Sequence, residues 1–218
     1  MKTTKACGSL LAGCLLVLAL ARVNAAENWV AYSASPTGSK VKIDGTSTLH
    51  AWTMESQLVS GKMEFEPGFK LDPSLKPGKV NARAQISMPV RQFKSTKDAM
   101  DQVMQQAMKE PQFPKIEYRL TELVLKEAPK MPEGPYPFDS KGELVIAGVT
   151  NKIAMPITLL RVSPTRVKVS GSTDLKMTDY GVTPPAPKLA LGALKTGDDI
   201  KITFDWVANQ RADAAKAP

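Results

Sequence analysis

The chain has 218 residues, with 29 Lys and Arg against 21 Asp and Glu, and a formal net charge of +8. Its basic residues are scattered singly, which argues against a nucleic-acid interface but is compatible with weak contact to an anionic membrane surface. His50 is the only histidine, so a metal site built from several imidazoles is excluded.

The first 25 residues have the three-part layout of a secretory signal peptide. Lys2 and Lys5 precede an apolar run over residues 6–21, and Val23 and Ala25 place small residues at the positions that a signal peptidase reads. The run is shorter than the roughly 20 residues of a spanning helix. We therefore expect cleavage after Ala25 and a periplasmic or secreted protein.

Both cysteines, Cys7 and Cys14, lie in this leader. Residues 11–14 also match the pattern at which bacterial lipoproteins are cut and lipidated, here on Cys14, but most of the apolar run follows that position. Lipidation is therefore the less favoured alternative. After ordinary cleavage no thiol remains, which excludes disulfides and cysteine chemistry.

Alternation of apolar and polar residues dominates the rest of the chain and predicts strands with one face in water and one in a core. In the first such segment Trp52, Met54 and Leu58 share one face. About eight alternating segments against one helix predict an all-β, antiparallel fold. The segments are residues 52–58, 62–66, 80–88, 116–121, 142–147, 153–159, 166–170 and 200–206.

One amphipathic helix is predicted over residues 96–109, before Pro111. Ser95 stands three residues before Asp98, as in a capping box. Asp98 and Asp101 are expected on its outward side, near the positive end of the helix dipole. Its apolar face is formed by Met100, Val103, Met104, Ala107 and Met108.

Turns and loops complete one domain. Residues 148–151 have hairpin spacing, and Ser60-Gly61 predicts a bend or bulge. We expect a lead-in over residues 26–39, a β-domain over 40–208 and a loose tail over 209–218. A two-sheet sandwich and a closed barrel both fit, although closure removes exposed edges and lets about eight strands enclose a small ligand.

Methionine is abundant on the predicted inner faces and on the helix. All ten methionines except Met1 remain after cleavage, and flexible thioethers adapt to irregular apolar ligands as well as to ordinary cores. Polar groups that could orient a ligand are His50, Tyr118, Thr173 and Arg91.

Four stretches of the chain carry recognisable motifs, and they are residues 45–52, 90–118, 142–151 and 175–182. Together they resemble the YceI-like proteins, a bacterial group with a lipocalin-like barrel. The resemblance implies an extended eight-stranded antiparallel barrel with one short amphipathic helix, a cavity for a polyisoprenoid or isoprenoid quinone, and a periplasmic location. One departure is that many relatives carry Arg-Asp-x-His at the helix start, where this chain has residues 95–100, Ser-Thr-Lys-Asp-Ala-Met.

We therefore predict a carrier of a long apolar ligand that needs no cofactor, with an isoprenoid quinone or polyprenyl lipid as the candidate ligand. A surface-acting stress or adhesion module with a filled barrel, and an enzyme using His50 or Tyr118, are the alternatives. Catalytic and metal residues are not expected, and the oligomeric state is open. The predicted ligand-contacting residues are His50, Trp52, Met54, Leu58, Met63, Phe65, Ala84, Ile86, Met88, Met100, Met104, Tyr118, Leu120, Leu144, Ile146 and Met155.

Overall fold

A computed structural model describes residues 29–186 and 195–211. The predicted signal peptide, its cleavage site after Ala25, Cys14 and residues 212–218 lie outside the described residues. Neither described range contains a helix long and apolar enough to cross a membrane.

The described residues form eleven strands, one α-helix and two single 3-10 turns. The 3-10 turns are Val90–Gln92 and Thr178–Tyr180. The other elements are β1 (Val30–Ala34), β2 (Lys40–Ser47), β3 (Ala51–Ser56), β4 (Ser60–Phe65), β5 (Gly78–Val80), β6 (Ala82–Pro89), α1 (Asp98–Ala107), β7 (Lys115–Leu125), β8 (Tyr136–Ile146), β9 (Val149–Ser163), β10 (Arg166–Lys176) and β11 (Thr196–Gln210).

Pairing of the first and last strands closes the sheet into a barrel. The hydrogen-bonded order is β1-β4-β6-β7-β8-β9-β10-β11, and β1 pairs with β11 through partners such as Tyr32 and Gln210. Each pairing is antiparallel, so the prediction of an all-β, eight-stranded antiparallel barrel is confirmed. The sheet begins at Val30, inside the predicted lead-in, because β1 supplies the strand that completes the ring.

The wall is interrupted beside β3. The strand β2 pairs with β11 between Thr196 and Asp205, β3 pairs with β2, and β3 ends this order. On its outer side β3 makes one bridge, in which Glu55 and Lys94 exchange backbone hydrogen bonds of 2.8 and 2.7 Å. The helix α1 lies over this part of the wall, where it and β3 line a common cavity.

Between β3 and β4 the side chains that point inward change from even-numbered to odd-numbered residues. The side chains of Met54 and Ser56 point inward, and then the Leu58 amide donates a hydrogen bond to Ser56 Oγ at 3.2 Å. This local turn leaves Leu58 45% exposed and Val59 5% exposed. The prediction that Leu58 shares the inner face is therefore wrong, because the alternation does not continue beyond Ser56.

The β8–β9 hairpin turns one residue earlier than predicted. Ala147 and Gly148 have φ angles of 48° and 82°, which suits the type I′ turn that matches the twist of a hairpin. Val149, Thr150 and Asn151, assigned to the turn from the sequence, already belong to β9.

One end of the barrel is filled by aromatic residues. The rings of Phe65 and Phe69 stack at 4.1 Å between centroids, and Tyr32 meets Phe65 edge-on at 6.1 Å. Tyr136 and Phe138 are fully buried. This packed end leaves the free interior volume on the side of the barrel that carries α1.

Candidate ligand channel

The barrel interior contains two adjoining cavities. The inner chamber has a volume of about 100 Å³ and lies within the closed barrel. The outer chamber has about 450 Å³ and lies between the β2–β3 hairpin and α1. Ile43, Ile116 and Ile202 line both chambers, so the two cavities meet at these side chains.

The inner chamber presents only apolar surface. It is built mainly by inward side chains of β2, β4 and β6 to β11, because the two-residue period sends every second side chain into the barrel. Half of the predicted contact residues line it, and they are Met63, Ala84, Ile86, Met88, Tyr118, Leu120, Leu144 and Met155.

The outer chamber combines an apolar floor with a polar rim. Lys97 and Ser95 come from the segment that leads into α1, and Ser47 comes from the end of β2. The predicted contact residues that line it are His50, Trp52, Met54, Met100, Met104 and Ile146.

Two predicted contact residues lie elsewhere. Leu58 points outward for the reason given above, and Phe65 is buried in the aromatic cluster at the filled end of the barrel. Arg91, considered as a ligand-orienting group, is exposed and pairs with Glu110 at 2.6 Å. Thr173, considered for the same role, does line the inner chamber.

Sequence reasoning missed a large share of the wall. The alternation over residues 153–159 and 200–206 placed several of these side chains on inner faces, but it gave no reason to prefer them as ligand contacts. The missed lining residues of the inner chamber are Val41, Ile43, Val59, Phe93, Ile116, Ser140, Ile153, Ile157, Val169, Ile202, Phe204 and Trp206.

Two aromatic rings of the wall lie flat on glycine backbones. A Cβ at Gly45 would overlap the ring of its cross-strand partner Trp52, and a Cβ at Gly142 would overlap the ring of Tyr118. Because each glycine has no side chain, the ring can pack directly against the backbone of the wall. The rings therefore line the chambers without filling them.

Tyr118 carries a buried hydroxyl with no hydrogen-bond partner among the described residues. The Ser140 side chain is the polar group that affects the Tyr118 hydroxyl, but the Ser140 hydroxyl donates its own hydrogen to the Met155 carbonyl at 2.8 Å. Burial raises the pKa of Tyr118, an effect that Ser140 only partly offsets. The phenol is therefore neutral at physiological pH and unsuited to act as a base.

A buried carboxylate anchors the start of α1. Asp101 is 3% exposed, and its Oδ1 accepts the Ser95 amide hydrogen at 2.7 Å and lies 2.8 Å from Ser95 Oγ. Lys94 Nζ lies 3.4 Å from Oδ2. Burial acts to raise the pKa of Asp101, but these hydrogen bonds and the Lys94 charge outweigh it and lower the pKa.

This arrangement corrects two expectations about the helix. Asp101 is not on the outward side, and Ser95 does not cap the helix through Asp98. The helix begins at Asp98 after Lys97, and the Ser95 hydroxyl accepts the Lys97 amide hydrogen at 3.0 Å. The physical reason is that Asp101 is buried and needs hydrogen-bond donors, which the backbone amide and hydroxyl of Ser95 provide.

His50 lies at the exposed rim of the outer chamber. Its Nδ1 is 2.8 Å from the carbonyl oxygen of Ala51, so this nitrogen carries a hydrogen and donates it. The contact holds the imidazole at the turn between β2 and β3.

Comparisons with known proteins agree on the family and the fold. A search of curated proteins found no match. Among solved structures, a polyisoprenoid-binding domain from Saccharophagus degradans implicated in plant cell wall breakdown is similar, with a TM-score of 0.64 and 16% identity over 84% of this chain and 99% of that chain. BcnA from Burkholderia cenocepacia has a TM-score of 0.57 and 17% identity, covering 78% of this chain and 95% of its own.

The YCEI protein of Campylobacter jejuni is also similar, with a TM-score of 0.51 and 17% identity over 71% of this chain and 82% of its own. At these identities the structures establish the fold alone. The sequence model of the YceI-like domain matches residues 32–208, a range that begins within β1 and ends within β11. The chain belongs to the YceI-like family.

Proposed function

We propose that this protein is a non-catalytic periplasmic carrier that holds the chain of a polyisoprenoid or isoprenoid quinone inside its barrel. The observation that carries the proposal is a pair of adjoining chambers, the inner one wholly apolar, in a closed barrel. The similarity to a domain described as polyisoprenoid-binding supports the ligand class.

Burial of hydrocarbon supplies the binding free energy. Each methylene that leaves water contributes about 0.8 kcal/mol, so a chain with many carbons binds without a strong polar contact. The apolar methionine surfaces, such as Met88 and Met155 inside and Met100 and Met104 on α1, adapt to a flexible chain.

The cavities favour a carrier over the alternative functions. A module acting only through its surface gains nothing from about 450 Å³ of free volume beside a wholly apolar chamber. A catalytic role would require a base beside the enclosed ligand, but burial holds Tyr118 neutral and His50 lies at the exposed rim of the outer chamber.

The leader sequence supports the proposed compartment. Lys2 and Lys5, the apolar run and the small residues before Ala26 indicate export with cleavage after Ala25. A carrier of membrane lipids in that compartment must exchange its ligand with a bilayer. Leu49 is 63% exposed at the turn beside His50 and supports weak membrane contact at the rim.

The direct experiment is native mass spectrometry of protein purified from a bacterial envelope, followed by lipid extraction. We expect a chain beginning at Ala26 with one releasable apolar adduct. Ala84 lines the inner chamber, so Ala84→Leu should fold but lose most of the adduct. Ala154, exposed on the outside of β9, provides the matched control Ala154→Leu, which should retain it.

An empty mature chain from the envelope would contradict the carrier function. An adduct that persists unchanged in Ala84→Leu would show that the ligand does not occupy the inner chamber. A diacylated Cys14 would replace the proposed soluble location with a membrane tether.

A further inference from the structure

We propose that Ile43, Ile116 and Ile202 form a neck that admits one bare hydrocarbon chain end into the inner chamber and excludes rings and polar groups. This inference rests on the proposed function and makes the neck the specificity-determining element of the channel. Ligands would enter tail first, with any ring or polar head remaining in the outer chamber.

The topology places these side chains on opposing walls. Ile43 and Ile202 are cross-strand partners between β2 and β11, so they form one side of the neck. In the closed order β7 lies four strands from β11 in either direction, which puts Ile116 across the barrel from that pair. The three side chains line both chambers, as expected of a boundary between them.

The neck is formed only by β-branched side chains. Isoleucine is branched at Cβ and has few accessible rotamers in a strand. Ile116 is 3% exposed and Ile43 is also buried, so packing restrains them further. Methionines, which adapt their shape easily, lie in both chambers but not at the boundary.

The two chambers offer different solvation to a ligand. A polar group moved into the inner chamber would lose its hydrogen bonds to water and find only apolar surface in exchange, which disfavours its entry. The outer chamber offers Ser47, Ser95 and Lys97 at its rim. The favoured class of ligand is therefore a long single chain with a bulkier or polar group at one end only.

Two fluorescent probes test this with delipidated protein. One is cis-parinaric acid, whose chain end is bare, and the other is a fatty acid that carries pyrene at its methyl end. We expect the wild-type protein to bind the pyrene-tailed acid at least about tenfold more weakly. In Ile202→Ala this difference should fall to about threefold or less, since a narrow neck no longer stops the ring.

Ile200→Ala is the matched control. Ile200 lies on the same strand and face as Ile202 and loses the same atoms, but it lines only the outer chamber. We expect it to keep the wild-type discrimination. Ile116→Phe tests the opposite change and should weaken parinaric acid binding by about tenfold, which keeps the neck testable if Ile202→Ala fails to fold.

Equal binding of both probes by the wild-type protein would overturn the neck while leaving lipid binding intact. The same loss of discrimination in Ile200→Ala and Ile202→Ala would also overturn it, because the effect would then follow cavity volume. Failure of the wild-type protein to bind either probe would instead overturn the proposed carrier function.

Discussion

At the scale of single residues, the least expected feature is the carboxylate of Asp101 beneath the start of α1. A buried charge is costly unless it is paired and hydrogen-bonded, and Ser95 and Lys94 provide those interactions. Since α1 covers part of the outer chamber, the network fixes the position of a wall of the channel.

Replacing Asp101 with Asn should destabilise the protein and change its response to acid. At pH 7 we expect a loss of about 1–3 kcal/mol in the free energy of unfolding, because charge-assisted hydrogen bonds are lost. The pKa of Asp101 is lower in the folded than in the unfolded protein. Its contribution is therefore complete above the unfolded value of 3.8 and is lost as the pH falls from there through the lower folded pKa.

Urea unfolding between pH 7 and pH 3 measures both effects. The wild-type protein should lose this contribution in the acidic range, whereas Asp101→Asn should show a correspondingly flatter profile. Asp98→Asn, one turn earlier on the exposed side, serves as the control and should cost less than about 1 kcal/mol at pH 7. Parallel profiles for wild type and Asp101→Asn would contradict this assignment.

At the scale of secondary-structure elements, the junction of β3 and β4 decides which side chains reach the inner chamber. Because of the turn after Ser56, Leu58 points outward, and Val59 points inward and lines the inner chamber. A strand that continued in register would have placed Val59 outside.

Substitution of these two neighbours by alanine should therefore have unequal effects. Val59→Ala removes two buried methyl groups and should cost about 1–2 kcal/mol of unfolding free energy. Leu58→Ala removes more atoms from an exposed side chain and should stay within about 0.5 kcal/mol of wild type. Chemical denaturation of the pair checks the register, and the reverse ranking would show that the strand continues unbroken.

The elements themselves were largely predictable, since period-two alternation depends on the contrast between solvent and core. The break in the alternation after Ser56 was not predictable, because the hydrogen bond between the Leu58 amide and the Ser56 hydroxyl does not alter the pattern of apolar and polar residues. The helix was found, but its start was misplaced because Ser95 bonds Asp101 rather than capping through Asp98. Polar contacts between near neighbours thus account for both errors.

At the scale of the whole molecule, the candidate channel was predicted only in part. The alternation correctly predicted that Ala84 and Met155 point inward, and both line the inner chamber. It made the same prediction for Phe65, which points inward but lies in the filled end of the barrel. That distinction depends on where along the barrel the aromatic rings of distant strands meet. The neck likewise requires Ile116 to face Ile202 across the closed ring, a relation that no local pattern contains.

Occupation of the channel should stabilise the entire fold. A ligand that binds only the folded protein adds about 2.7 kcal/mol at a free concentration 100 times its Kd. For a chain of this size that corresponds to a rise in Tm of roughly 5–10 °C. Calorimetry of delipidated protein with and without cis-parinaric acid measures the shift. Ala84→Leu should show little change on ligand addition, and an equal rise in that variant would place the ligand outside the inner chamber.

The triple pairing of β11 also determines when a ligand can first be held. This strand hydrogen-bonds to β10, to β1 and to β2, and it is the last strand of the barrel in the chain. If the chain is exported from its N-terminus as proposed, the earlier strands can pair before β11 arrives, but a cleft remains between β10 and β1. Under the proposed carrier function, loading then follows delivery of β11 and is a property of the completed polypeptide.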